Sequence, residues 1–163
     1  MTQAFIALGS NLKNPIQQVN GAFLALEKIP QTKLIIKSSL YKTAPIGYEE
    51  GEIANIPDFI NAVAEVDTDL SPLALLDEIL KIENQAGRLR PYPNAPRVLD
   101  CDLLLYGDTV MQTQPLTLPH PRMHTRGFVL LPLFEIAPQL SIPNHGKIAT
   151  LMTNDVKHGV KKI

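Results

Sequence analysis

The chain contains no tryptophan and a single cysteine, Cys101. A lone thiol closes no internal disulfide, so Cys101 is expected to be a small core residue rather than a ligand or nucleophile. An excess of either charge is also missing: 15 basic residues stand against 16 acidic ones, for a formal net charge of −1. That balance argues against tight nonspecific attraction to nucleic acid or an anionic membrane, and any charged partner must be met locally. No apolar run reaches the roughly 20 residues of a membrane span. The opening MTQAFIALGSN has neither the basic region nor the cleavage site of a secretory signal, so a cytoplasmic location is expected. The phosphate-binding loops G-x-x-x-x-G-K-[ST] and G-x-G-x-x-G are absent too, and there is no internal repeat. What is present is enough apolar sequence for one core. With 163 residues, 45% of them hydrophobic, the chain is expected to form a single domain over 1–163.

Local patterns give the element order. QAFIAL (3–8) reads as a buried strand closed by the turn-prone GSN. A helix opens at NPIQQVNGAFLALEKI, with Asn14 as N-cap, Pro15 at the first position, and Ile16, Val19, Phe23 and Leu26 as its inward stripe. KLIIKSSLY (33–41) reads as a second strand, and a long loop from Thr43 to Asp58 exceeds what a connector needs. FINAVAEV (59–66) is a third strand, and SPLALLDEILKIENQAG a helix capped by Ser71 and stopped at Gly87. A strand over 98–106 follows, then a proline-punctuated stretch and a last helix near RGFVLLPLFEIA. Strand, helix, strand, strand, helix, strand is the ferredoxin-like order: an α+β sandwich with a mainly antiparallel sheet and helices packed on it.

LDCDLLLY (99–106) carries two aspartates in otherwise interior sequence. In a strand the side-chain period is two, so Asp100 and Asp102 share a face, about 7 Å apart along the backbone, with Leu104 and Tyr106 continuing it. Leu99, Cys101, Leu103 and Leu105 take the other. Crowded carboxylates raise each other's pKa unless a cation offsets them, which leaves a metal, an arginine or open water as their company.

The arginines are segregated. All five, Arg88, Arg90, Arg97, Arg122 and Arg126, fall between positions 88 and 126, where there is no lysine, although the chain has ten lysines elsewhere. A solvated face has little reason to choose between the two cations, whereas bidentate pairing with phosphate requires the planar fork. For a single arginine, Arg122 especially, a structural salt bridge to the aspartates is the expected role; for the group it is not. Carboxylates among arginines point to a site holding divalent cations and a polyphosphate together, since magnesium takes one or two carboxylates and leaves its other positions to water and phosphate oxygens.

The sequence resembles the 6-hydroxymethyl-7,8-dihydropterin pyrophosphokinase family of folate biosynthesis. The likeness lies in ALGSN, YKTAPIG, FINAVAE, IENQAGRLR, PRVLDCDLLLYG and LTLPHPRMHTRGFVLLPLFEIAP, and runs to about residue 145. The resemblance implies transfer of pyrophosphate from ATP to the pterin hydroxymethyl group, releasing AMP, with two magnesium ions. It implies that Asp100 and Asp102 ligate both ions and, with Arg88 and Arg97, form the catalytic set. Arg88, Arg97, His120 and Arg126 would grip the triphosphate, with Arg90 on a mobile loop and Glu83 and Thr117 near the nucleotide. Phe59 and Phe128 would sandwich the pterin, Asn61 would read its hydrogen-bonding edge, and backbone groups at Thr43 and Ile46 would assist. The chain departs from the family pattern at Asn94, where tryptophan is common, at Pro121, where an aromatic residue is common, and in a longer 48–57 loop. No nucleic-acid or membrane partner is expected, and the chain is expected to act as a monomer. The alternatives are another magnesium-dependent nucleotidyltransferase or phosphodiesterase, a binding protein that has lost turnover, and a nucleotide- or RNA-binding module, for which the central strands lack stacking aromatics.

Overall fold

The computed structural model describes residues 1–44, 57–87 and 98–163. Its first part runs β1 (Thr2–Ser10), α1 (Pro15–Glu27), β2 (Thr32–Lys37), β3 (Tyr41–Thr43), β4 (Phe59–Thr68), α2 (Pro72–Ala86) and β5 (Asp100–Tyr106). Then come β6 (Met111–Gln112), β7 (Thr117–Leu118), a 3-10 turn (Met123–Thr125) and α3 (Gly127–Ile136). The hairpin β8 (Ser141–Ile142) and β9 (Gly146–Lys147), a 3-10 turn (Ile148–Leu151), α4 (Asn154–Lys157) and β10 (Val160–Lys162) close the chain. The main sheet has the order β10-β3-β4-β1-β5, with β2 also paired to β4, and its pairings are antiparallel. The ferredoxin-like α+β sandwich expected from the sequence is therefore the fold.

Two apolar layers enclose the sheet. On one face α1 contributes Val19, Ala22, Phe23 and Leu26, and α2 contributes Leu75, Ile79 and Ile82, packed on Ile6, Leu8, Ala64 and Leu103. Each of the valine, leucine, isoleucine and phenylalanine side chains removed from water stabilises the fold by about 1.5–3 kcal/mol. On the other face α3 lays Val129, Leu130 and Leu133 against Phe5, Val63, Leu104 and Leu105. The Ser71 hydroxyl accepts from the Ala74 N–H at 3.2 Å, the cap read from the sequence.

Local readings are corrected in three places. Asn14 caps no amide with its side chain: its backbone is left-handed (φ 63°), whereas side-chain capping needs extended backbone. Ile16 is 45% exposed, and Ala22 takes a place in the stripe instead. The strand over 33–41 is two strands on the same edge of β4, separated at Ser38. There the Ser38 hydroxyl, instead of a backbone carbonyl, accepts the Val63 N–H at 2.9 Å, so the ladder is interrupted without leaving that donor unpaired.

Candidate active site

β5 does not keep one alternation along its length. Its register with β1 shifts between Phe5 and Ile6: Phe5 faces Leu105, Ile6 faces Leu103, and Leu104 is the extra residue of a β-bulge. Before the bulge the expected alternation holds, with Leu99, Cys101 and Leu103 in the α1/α2 core and Asp100 and Asp102 on the opposite face. After it the faces exchange. Leu105 joins Leu104 under α3, and Tyr106 turns to the α1/α2 side, where its hydroxyl donates to the Leu70 carbonyl at 2.6 Å. The aspartate pair thus sits at the end of the face whose far end is sealed.

Strand register then assembles a polar row. Asp100 lies opposite Gly9, Gly9 opposite Asn61, and Asn61 opposite Tyr41, so one line across β5, β1, β4 and β3 carries a carboxylate, a bare backbone position and an amide. A Cβ at position 9 would stand 2.9 Å from Asn61 Oδ1, so a side chain there would have to displace the amide. Asn61, 6% exposed, donates from Nδ2 to Thr43 Oγ1 at 2.9 Å, which fixes the amide over the sheet.

Groups around β5 hold the aspartates in place. Glu83, on α2, accepts the Cys101 N–H at 2.8 Å, so its carboxylate anchors the backbone between Asp100 and Asp102. The Ser10 hydroxyl donates to the Val98 carbonyl at 2.5 Å, just before the pair. Burial first, then the charges of Glu83, Asp102 and Asp100, push the Cys101 thiol well above its ordinary pKa, which suits an inert core residue. His120 donates its backbone N–H to the Leu104 carbonyl at 2.9 Å, tying the segment after β7 to the bulge. Its pKa is lowered below 6.5 by burial, with Asp102 opposing and Arg126 and Arg122 reinforcing the shift. Nδ1 accepts the Arg122 N–H at 3.2 Å, so the proton of the neutral ring is on Nε2.

A cavity of about 890 Å³ opens over this row, within the roughly 300–1,000 Å³ usual for small-molecule sites. Asp100, Asp102 and Arg126 line it together with Thr43, Phe59, Asn61 and Phe128. The Arg126 guanidinium carbon stands 5.5 Å from the centre of the Phe128 ring. Glu83, Thr117 and His120 are not among the lining residues and flank β5 instead; Thr117 pairs with Gln112 in β6. Arg88, Arg90, Arg97, Ile46, Asn94 and most of the long loop lie outside the described residues.

The expectation for Arg122 is corrected. Among the described residues neither it nor Arg126 makes an ion pair, and Arg122 lines the cavity. Sequence reading also missed Asp155, Val156, His158, Gly159 and Val160, which form another wall. Nothing local announces them, because they reach the cavity through the pairing of β10 with β3. Among the described residues no three His, Cys, Asp or Glu side chains cluster as a metal cage, and Asp100 and Asp102 are the neighbouring carboxylates of β5 that the cavity offers a cation. Hard carboxylate oxygens with positions left open suit magnesium.

The family model for 7,8-dihydro-6-hydroxymethylpterin-pyrophosphokinase matches residues 5–138. The chain is 45% identical over its full length to the 2-amino-4-hydroxy-6-hydroxymethyldihydropteridine pyrophosphokinase of Haemophilus influenzae, of which it covers 99%. It is 38% identical over 99% of its length to the Pseudomonas aeruginosa protein of that name, covering 96% of it. A solved structure of Plasmodium falciparum HPPK-DHPS matches in fold with a TM-score of 0.72 at 18% identity; the match takes in 100% of this chain and 47% of that one. The chain spans about half the length of that solved relative and nearly all of the two bacterial ones, and by family match and identity it belongs to the 7,8-dihydro-6-hydroxymethylpterin-pyrophosphokinase family.

Proposed function

We propose that the chain transfers the terminal pyrophosphoryl group of ATP to 6-hydroxymethyl-7,8-dihydropterin, giving AMP and the pterin diphosphate. The observation that carries this reading is the row Asp100, Gly9, Asn61 beneath a cavity also lined by Asp102, Phe59, Phe128 and Arg126. It joins a carboxylate pair suited to metal-bound phosphates with a slot suited to a flat heterocycle.

Phe59 and Phe128 offer apolar ring faces for the pterin, and Asn61, its Nδ2 already engaged by Thr43, presents the rest of its amide to the heterocycle edge. This fixes the hydroxymethyl oxygen relative to the phosphates, and positioning supplies most of what phosphoryl-type transfer needs. That oxygen bonds to the β-phosphorus, the bond from the β-phosphorus to the AMP oxygen breaks, and the hydroxyl proton is released. Asp100 and Asp102 would hold two magnesium ions, which supply Lewis-acid neutralisation of the triphosphate when bound. Arg126 meets charge on the phosphates, and His120, neutral at pH 7, has its Nε2 proton free to donate to a phosphate oxygen. Arg88, Arg90 and Arg97 complete the phosphate grip in this reading, with Glu83 and Thr117 on the nucleotide side and Ile46 beside the pterin.

The chain is further read as one domain over 1–163, acting as a monomer in the cytoplasm. Among the described residues no helix is long and apolar enough to cross a membrane. Incubation with ATP, magnesium and the hydroxymethyl dihydropterin should release AMP in step with the pterin diphosphate. Pyrophosphate release, or AMP formed without the pterin, would favour a nucleotidyltransferase or phosphodiesterase instead.

A further inference from the structure

The segment from Asn154 to Lys162 lies beyond the span matched by the family model, yet Asp155, Val156, His158, Gly159 and Val160 line the cavity. Two features hold it there. β10 pairs with β3 so that Val160 lies opposite Thr43, and Thr43 in turn lies opposite Phe59, forming a second cross-strand row beside that of Asn61. The second feature is at Gly127, the first residue of α3. A Cβ built on Gly127 would stand 1.8 Å from the carbonyl oxygen of Val156 and 3.2 Å from a methyl carbon of Val160. The first distance is far inside any nonbonded contact, and the obstacle is backbone, which cannot swing aside as a side chain can. Gly127 has no left-handed φ, so space alone demands a glycine here while the segment is docked.

Gly127 separates Arg126 from Phe128, both on the cavity wall. Phe128 and Val156 pack against the same apolar cluster under α3, so the segment braces the first helical turn. We infer that residues 154–162 are a built part of the substrate cavity, docked through Gly127, and that they hold the Phe128 wall in the position the pterin requires. This rests on the pterin reading above. It also gives the glycine of RGF a role: the point where a later segment completes the site.

The test is pterin binding by calorimetry, with a nonhydrolysable ATP analogue and magnesium present. Four proteins are compared: the intact chain, Gly127→Ala, a chain ending at Thr153, and the last two changes combined. Each single change should weaken pterin binding about tenfold or more, a shift well resolved by titration. The combination should lose no more than the deletion alone, because the added methyl then has nothing to displace. The ATP analogue alone should bind the deleted chain within about threefold of the intact one. Where the deleted chain shows no cooperative melting, Gly159→Val replaces it. Gly159 has φ +75°, so valine there strains the joint between α4 and β10; because Gly159 also lines the cavity, it is the coupling to Gly127→Ala that separates undocking from simple filling, which would add. Gly159→Val should weaken pterin binding several-fold and combine less than additively with Gly127→Ala. Unchanged pterin affinity in a folded deletion, or losses that simply add, would overturn the inference. If the intact chain itself binds no pterin, the functional reading falls and takes this one with it; if only the deletion comparison fails, the functional reading stands.

Discussion

The two faces of the central sheet are made by the same strands and are held by different physics. Under α1 and α2, Ile6, Leu8, Ala64 and Leu103 are each no more than 3% exposed, and the layer is continuous hydrocarbon. The opposite face is apolar only at one end, where Phe5, Val63, Leu104 and Leu105 lie under α3, and becomes Gly9, Asn61, Asp100 and Asp102 at the other. Its margins are secured by polar contacts. Glu135, on α3, accepts the Tyr41 hydroxyl at 2.7 Å and both the Ser39 N–H and hydroxyl, at 3.1 and 2.9 Å. One face is therefore sensitive to volume and the other to charge. The protein separates stability from chemistry across a single sheet thickness.

The strongest way to sharpen this contrast is on β5 itself, where neighbouring residues face opposite ways. Asp102→Asn should lower ATP-to-AMP turnover by about two orders of magnitude or more. Its melting temperature in a chelator should be no lower than the parent's, since a charge beside another carboxylate has been removed. Turnover within a few-fold of the parent would break the assignment of that face. Leu103→Ala, one residue on, should do the reverse: a loss of about 2–5 kcal/mol in denaturant unfolding, with the rate per folded molecule unchanged.

Smaller effects belong to the polar margin. Tyr41→Phe leaves Glu135 without a buried donor and should cost about 1.5 kcal/mol at neutral pH by chemical denaturation. Burial first, then the hydrogen bond to Glu135 and its charge, raise the Tyr41 phenol well above its usual 10.0. Above pH 10 the unfolded chain therefore ionises while the folded one keeps its proton, and the stability present below that pH is lost as pH rises. Tyr41→Phe should remove this alkaline slope. Burial opposes ionisation of Glu135, but the bonds from Tyr41 and Ser39 and the charge of Lys162 together hold its carboxyl below 4.5. Its contribution should persist above that pH and fade as pH drops through the lowered value.

The smallest effect is expected at the histidines. His124 and His145 stack with centroids 3.9 Å apart, joining the 3-10 turn before Arg126 to the hairpin of β8 and β9. Burial and then the neighbouring His124 charge lower the His145 pKa below 6.5, and burial does the same at His120. Both contributions are complete above pH 6.5 and decline as pH falls below it, because the unfolded chain takes up the protons first. Melting temperature measured from pH 7.5 to 5.5 should fall, and His145→Gln should flatten part of that decline.

Periodicity, capping residues and turn chemistry are local, and with them the sequence by itself determined the element order, the Ser71-capped helix, the ferredoxin-like arrangement and the shared face of Asp100 and Asp102. The motifs named the pterin-side residues, and Thr43, Phe59, Asn61 and Phe128 do meet in one cavity. Other features needed partners distant in the chain. Alternation extended through LLLY puts Leu105 and Tyr106 on the wrong faces, because a bulge is a property of two strands in register and cannot be read from one. KLIIKSSLY looks like one strand until Val63 claims the Ser38 hydroxyl. Arg122 reads as a salt-bridge residue until its surroundings show no carboxylate within pairing distance among the described residues. The wall made by residues 155–160 exists only because β10 returns to β3 and a missing methyl at Gly127 lets Val156 approach, contacts that tertiary structure alone decided because they join backbone segments with no mark of each other in their own sequence.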